Sequence, residues 1–162
     1  MSYVTRNKII AYERLEFMWT IVPIGILIVI AVPRISLLYM TDSRLSANRE
    51  VVSVTGRQWY WEYFTAYGSQ DITSYMISSL NNNLDVDNNT LLPSQTSLNF
   101  LVRSGDVLHC YALPELRCKV DACPGRLNRS LGLRDKTGLT YGICREICGA
   151  NHSFMPIKVE FC

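Results

Sequence analysis

The chain has 162 residues, a formal net charge of +2 and 48% hydrophobic residues. That length suits one modest domain. The near-balanced charge gives no electrostatic basis for a polyanionic partner, so nucleic acid is excluded as the expected ligand.

Residues 1–14 read as a polar leader. Residues 15–40 predict a transmembrane helix. The stretch from Phe17 to Met40, FMWTIVPIGILIVIAVPRISLLYM, has Arg34 as its single charge. About 20 apolar residues are enough to span a bilayer. Arg34 lies near the end of the run, where its long side chain can reach the interface. Trp19 and Tyr39 stand near the two ends, where amphipathic aromatics favour the headgroup layer. Pro23 and Pro33 are easier to accommodate in a membrane helix than in a soluble one. The run is longer than the apolar part of a signal peptide, and no small-residue cleavage site follows it. Arg6, Lys8 and Arg14 precede it and Arg44 and Arg49 follow it, too even a distribution to orient the helix.

Residues 41–50 read as a linker, and residues 51–162 as a β domain. Val51, Val52 and Val54 are β-branched, and Trp59, Tyr60, Trp61, Tyr63 and Phe64 follow closely. Such residues favour strands. Further strands are predicted at Ser97–Arg103, Val107–Leu113, Thr140–Ile143 and Ile157–Phe161. The last alternates apolar and polar positions as a half-buried strand does. Turn-forming clusters at Ala66–Gln70, Asn81–Asn83, Asp87–Asn89, Pro124-Gly125 and Lys136–Gly138 separate them. Short strands with turns between them predict a β-sandwich or barrel.

The spacing Cys144-x3-Cys148-x3-His152-x2-Met155 places two thiols, an imidazole and a thioether in one short segment. His109 is the only other histidine of the chain. Soft sulfur donors with imidazole suit copper rather than magnesium or calcium. Zinc accepts cysteine and histidine but is poorly served by methionine. A structural disulfide needs neither the histidine nor the methionine. Spacing alone therefore leaves copper, zinc and a metal-free site all open, with copper favoured. His109 taken alone is an ordinary hydrogen-bonded histidine, and Met155 taken alone is core filler.

Four blocks carry a closer resemblance: LEFMWTIVP in the apolar run, VTGRQWYWEY after it, DVLHCYALPELRCKVDACPGRLN in the middle and YGICREICGANHSFMPI near the end. In that order they resemble subunit II of haem-copper cytochrome c oxidase, from about Leu15 onward. The resemblance implies a mainly β fold, a cupredoxin-like Greek-key barrel or sandwich, carried on one N-terminal transmembrane helix. It implies a dinuclear copper A centre held by His109, Cys144, Cys148, His152 and Met155, with the backbone carbonyl of Glu146. The Glu146 carboxylate is expected to reach a magnesium ion shared with subunit I, and Asp121 and Arg126 to join a boundary network there. Trp59 is implied as the electron entry point, with Tyr60 close to the metal, and Glu16 as the entrance of a proton channel.

The function so implied is electron input. Cytochrome c delivers electrons to this chain, which passes them to haem in subunit I, where dioxygen is reduced to water with coupled proton pumping. Implied partners are subunit I, the other oxidase subunits, cytochrome c and the lipid bilayer. The implied location is the mitochondrial inner membrane, with the β domain in the intermembrane space. From Gln58 to Val102 there is no lysine or arginine, but Glu62, Asp71 and Asp85 and Asp87 lie there, and Asp106 follows. An acidic face would steer a basic partner.

Some features depart from the family pattern. The family has two membrane helices here, and this sequence has one, matching the second; a separate polypeptide could supply the first. Arg57 replaces a residue that is often histidine. Cys110, Cys118, Cys123 and Cys162 have no assigned role, and Cys118 and Cys123 could pair or stay free. A membrane-anchored zinc protein and a copper-free quinol oxidase subunit are the rival classes; the intact ligand set argues against the second.

Overall fold

The computed structural model describes residues 12–43, 50–65, 68–77 and 83–162. The chain divides into two compact units, Met1–Ser46 and Ala47–Cys162.

The described part of the first unit is one helix, α1, spanning Glu13–Ser43. Glu13 and Glu16 lie in its first turn, where negative charge meets the positive end of the helix dipole. The N–H groups of Leu15 and Glu16 both donate to the Tyr12 carbonyl at 3.0 Å and start the helix. Pro23 and Pro33 lie within it without ending it. At 1.5 Å per residue the helix is about 46 Å long, longer than the ~30 Å hydrocarbon layer. Residues Glu13–Met40 are long and apolar enough to cross a membrane. Phe17, Leu27, Val29 and Leu38 leave the apolar surface exposed on every side. Such a surface demands lipid or other apolar partners. The helix is longer than the predicted span at both ends. It takes in Glu13 and Arg14 of the expected leader and residues 41–43 of the expected linker.

The second unit is a sandwich of two five-stranded sheets. One has the order β3-β2-β1-β5-β8, built from Gly68–Ser74, Tyr60–Thr65, Glu50–Arg57, Leu98–Ser104 and Asn128–Gly132. The other has the order β4-β10-β9-β6-β7, from Thr90–Leu92, Pro156–Phe161, Gly138–Cys144, His109–Leu113 and Cys118–Ala122. β1 pairs antiparallel with β2 and parallel with β5. β9 lies antiparallel to both β10 and β6. Alternate residues of the strands fill the space between the sheets with Val52, Val54, Trp61, Tyr63, Phe100, Tyr111, Leu113, Ile157 and Phe161. Each large side chain so buried contributes roughly 1.5–3 kcal/mol.

The predicted strands all form, with ends shifted by one or two residues. Four others went unpredicted: β3, β4, β7 and β8. Gly68–Gln70 was expected in a turn and instead opens β3, where pairing with β2 overrides the local glycine and glutamine preference. Cys118–Ala122 and Asn128–Gly132 carry charged and polar residues that mask the strand pattern. They are strands because β6 and β5 offer them open edges.

Candidate metal centre

His109 is the first residue of β6, and Cys144 is the last of β9. These strands are neighbours, so the ladder sets the imidazole beside the sulfur. His109 Nδ1 lies 4.0 Å from Cys144 Sγ. The His109 ring is fully buried and meets Trp61 edge-on, with ring centroids 6.0 Å apart. Beyond Cys144 the chain leaves the sheet and returns. The Cys144 N–H donates to the Met155 carbonyl at 3.1 Å, closing the base of the loop. The Arg145 N–H donates to the Cys110 carbonyl at 3.0 Å.

Within the loop Cys148 Sγ turns back to lie 4.0 Å from Cys144 Sγ and 3.5 Å from His152 Nδ1. His152 opens a short 3-10 turn, His152–Phe154. Cys144 Sγ is also 3.4 Å from the Glu146 carbonyl oxygen. Met155 is buried in the same apolar cluster as the two cysteines. The ligand atoms of His109, Cys144 and Cys148 all fall within 4.8 Å of one another.

This donor set fits a soft metal. A zinc–thiolate bond is about 2.3 Å, so sulfurs 4.0 Å apart can both touch one ion between them. Among the described residues the group of ligand atoms gathered here is two sulfurs and an imidazole, whereas hard cations such as magnesium want oxygen ligands. Two sulfurs flanked by one imidazole on each side, with a thioether following, match the preferences of copper.

The electrostatics divide the two thiols. Burial works against ionisation of Cys144, yet hydrogen bonding from His109 and from backbone at Cys110 and Glu146 outweighs it and lowers its pKa. Burial and the neighbouring Cys144 charge push Cys148 up. Burial opposes protonation of His109, but Cys144 and Asp106 raise its pKa on balance. The Asp106 carboxyl, despite its own burial, is held below the ordinary range by His109 and by the N–H groups of Gln58 and Val107.

Of the other expected site residues, Trp59 is half-buried and its indole Nε1 donates to the Cys148 carbonyl at 3.2 Å. It therefore touches the cysteine loop directly. Tyr60 points elsewhere: its ring stacks on Tyr75, with centroids 4.3 Å apart, and its hydroxyl faces Glu62. The aromatic ring against His109 is Trp61, because side chains alternate along β2. The Glu146 side chain is exposed at the loop surface. Asp121 and Arg126 are also exposed, and no hydrogen bond joins their side chains among the described residues. Glu16 lies in the first turn of α1, in the other unit.

The acids read as a steering face are largely engaged within the chain. Glu62 pairs with Arg57 at 2.8 Å and Asp85 with Lys158 at 2.8 Å. Asp87 accepts from the backbone of Tyr75 and Asn88. Asp106 holds His109 Nε2 at 2.8 Å. All six cysteines are free thiols; Cys118 contacts Ser130 Oγ at 3.3 Å rather than pairing with Cys123. Sequence reasoning missed Gln58 at the site, whose Nε2 donates to the Cys148 carbonyl at 2.8 Å. It also missed the contact of Asp106 with His109. A D-x-x-H spacing was the available signal for Asp106, and Gln58 had none.

A two-sheet sandwich with a thiol–imidazole cluster between strand ends defines a cupredoxin-like domain, in a chain that also carries an apolar helix. Residues 50–162 match the family model "Cytochrome C oxidase subunit II, periplasmic domain". Cytochrome c oxidase subunit 2 of Rhipicephalus sanguineus is 43% identical over 153 residues, covering 91% of this chain and 68% of that protein. The same subunit of Ctenocephalides felis is 43% identical over 174 aligned positions, covering 99% of this chain and 75% of that one. The crystal structure of the periplasmic domain of subunit II of cytochrome oxidase (CoxB) of Bradyrhizobium japonicum superposes with a TM-score of 0.68. It is 37% identical and covers 72% of this chain and 86% of that one. The chain belongs to the cytochrome c oxidase subunit II family. It serves as the electron-input subunit of an oxidase complex, an oxidoreductase, and its family implies copper A.

Proposed function

We propose that His109, Cys144, Cys148, His152 and Met155, with the carbonyl oxygen of Glu146, hold the two ions of a copper A centre. The observation that carries this is the meeting of three buried ligand atoms within 4.8 Å, with His152 Nδ1 at 3.5 Å from the second sulfur. When bound, a dinuclear copper centre supplies a one-electron relay between cytochrome c and the haem of subunit I. The chain's own residues do the rest. Cys144 and Cys148 would offer their sulfurs to that centre, with the imidazole of His109 beside the first and that of His152 beside the second. The strands β6 and β9 fix His109 and Cys144 in a packed sheet end, which limits rearrangement on electron transfer. Burial of Cys144, Cys148 and Met155 keeps water away.

Trp59 is the entry residue for electrons from cytochrome c, since its indole is bonded to the Cys148 carbonyl. Tyr60 supports that entry face through its stack on Tyr75. The exposed Glu146 carboxylate serves a magnesium ion shared with subunit I, and Asp121 and Arg126 contribute to the same boundary. Glu16 marks a proton entrance at the start of α1, which anchors the chain in the mitochondrial inner membrane with the β domain in the intermembrane space. Dioxygen is reduced in subunit I, with protons pumped there.

Metal analysis and electron paramagnetic resonance of the native complex test this. Two coppers per chain sharing one unpaired electron are expected. Zinc, or no metal, would overturn the reading. Cys144→Ser should abolish cytochrome c oxidation while the complex still assembles.

A further inference from the structure

Two side chains outside the ligand set join the segments that carry it. Asp106 precedes β6, and its carboxylate is shared. One oxygen, Oδ1, lies 2.8 Å from His109 Nε2, and the other, Oδ2, accepts the Gln58 backbone N–H at 2.7 Å. Gln58 sits in the turn between β1 and β2. Its side-chain Nε2 donates to the Cys148 carbonyl at 2.8 Å. That carbonyl also accepts the Trp59 indole N–H at 3.2 Å. A continuous chain of hydrogen bonds therefore runs from the imidazole of His109, through Asp106 and Gln58, to the peptide of Cys148.

The path is tightly fitted. Gly149 follows Cys148 with φ +117, and a Cβ there would meet Gln58 Nε2 at 3.0 Å and the Trp59 ring at 3.2 Å. A side chain at 149 is thus opposed by backbone conformation and by space together. The loop can approach the Gln58–Trp59 turn this closely only because residue 149 is glycine.

We infer that Gln58 and Asp106 are positioning residues that lock the β6 histidine and the cysteine loop into one metal-binding geometry. An ionised carboxylate only accepts hydrogen bonds, so Asp106 places the ring proton of His109 on Nε2. Nδ1 is then left bare and facing Cys144 Sγ, as a ligand nitrogen must be. Gln58 supplies the second half. It fixes the Cys148 peptide, and so the direction of the Cys148 sulfur, relative to the strand that holds His109. This inference rests on the copper reading above.

The test uses the full chain in detergent micelles, with copper added and then withdrawn by a chelator. Substituting a group that orients metal ligands typically costs 10–100-fold in affinity. Gln58→Ala should release copper faster by about that range and should change the hyperfine pattern of the resonance spectrum. The thermal midpoint of the copper-free protein should stay near wild type, because Gln58 is exposed. Gln58→Glu keeps the size and the backbone N–H but sets an acceptor against the Cys148 carbonyl. It should release copper at least as fast, and it serves where the alanine variant does not accumulate. Asp106→Asn should have a comparable effect. Combined with Gln58→Ala it should fall short of the product of the two, since both cut one connection. Wild-type release rates and spectra in both Gln58 variants would overturn the inference, as would fully independent effects in the double variant. Wild-type protein that takes up no copper would instead overturn the copper reading itself, and this inference with it.

Discussion

Gly56 of β1 lies against the ring of His109, close enough that a Cβ at 56 would stand 3.0 Å from His109 Cδ2. The same Cβ would meet Trp61 Cζ3 at 3.0 Å. Both rings are fully buried and packed edge to face. The absence of a side chain at 56 is what leaves room for both rings. Gly56→Ala should therefore displace His109 and cost about 1–3 kcal/mol, the usual range for overpacking. Urea unfolding of the copper-free chain measures the first effect, and copper titration measures the loss of affinity that accompanies it. Unchanged values in both would show that the ring has room to move.

Gly142 of β9 presents a harsher case. A Cβ there would collide with the backbone oxygen of Ala112 in β6. No rotamer change relieves a clash with backbone. Gly142→Ala should force β9 from β6 and separate Cys144 from His109. The expected outcome is failure to accumulate folded chain, read by expression level and protease resistance.

Met155 can be tested as ligand against filler. It is 1% exposed and belongs to the core cluster. Met155→Leu keeps volume and costs less than about 1.5 kcal/mol on packing grounds, but it removes the thioether. A copper reduction potential shifted from wild type at nearly unchanged stability is expected. A potential equal to wild type would reduce Met155 to packing.

Trp59 has a ring and a donor with separable roles. Trp59→Phe keeps an aromatic face but loses the N–H bonded to Cys148. Trp59→Ala loses both. Cytochrome c oxidation should fall in each, and further in the alanine variant, with stopped-flow rates under low salt as the measurement. Equal rates in all three proteins would remove Trp59 from the entry path.

Alkali should destabilise the β domain through its buried acids. Burial raises the pKa of Tyr63, Tyr111 and Cys118 in the fold. For Tyr63 burial outweighs the opposing influence of the neighbouring Tyr111 hydroxyl. The folded state thus keeps protons that the unfolded chain gives up, from about pH 8.5 for the cysteine and about pH 10 for the tyrosines. Stability is full below that range and falls as pH rises through it. Denaturant midpoints from pH 7 to 11 should show the decline, and Tyr63→Phe should lessen it.

The apolar helix was legible because lipid-spanning length and composition are properties of contiguous sequence. The loop proposed to hold copper stands out for the same reason: Cys144, Cys148, His152 and Met155 lie within one segment, and soft donors at close spacing have few other uses. Four strands were not legible. Cys118–Ala122 and Asn128–Gly132 lack a clean alternation, and their strand state depends on edges supplied by β6 and β5. Acid spacing along Glu62 to Asp106 was read as a face, but a sequence does not say which acids have partners. Lys158 and Asp85 meet at 2.8 Å across distant parts of the chain.

What the sequence determined by itself was the vocabulary of candidate ligands, an apolar helix long enough to cross a membrane and the mainly β composition of the remainder, since each follows from residue chemistry and local periodicity. What only the tertiary structure decided was the company those ligands keep. His109 reaches Cys144 because β6 and β9 are neighbours in a sheet. Trp61 rather than Tyr60 covers the imidazole because a strand alternates its faces. Gln58 joins the site because the turn between β1 and β2 folds over a loop far along the chain. Those contacts arise from packing between segments remote in sequence, and no local pattern encodes them.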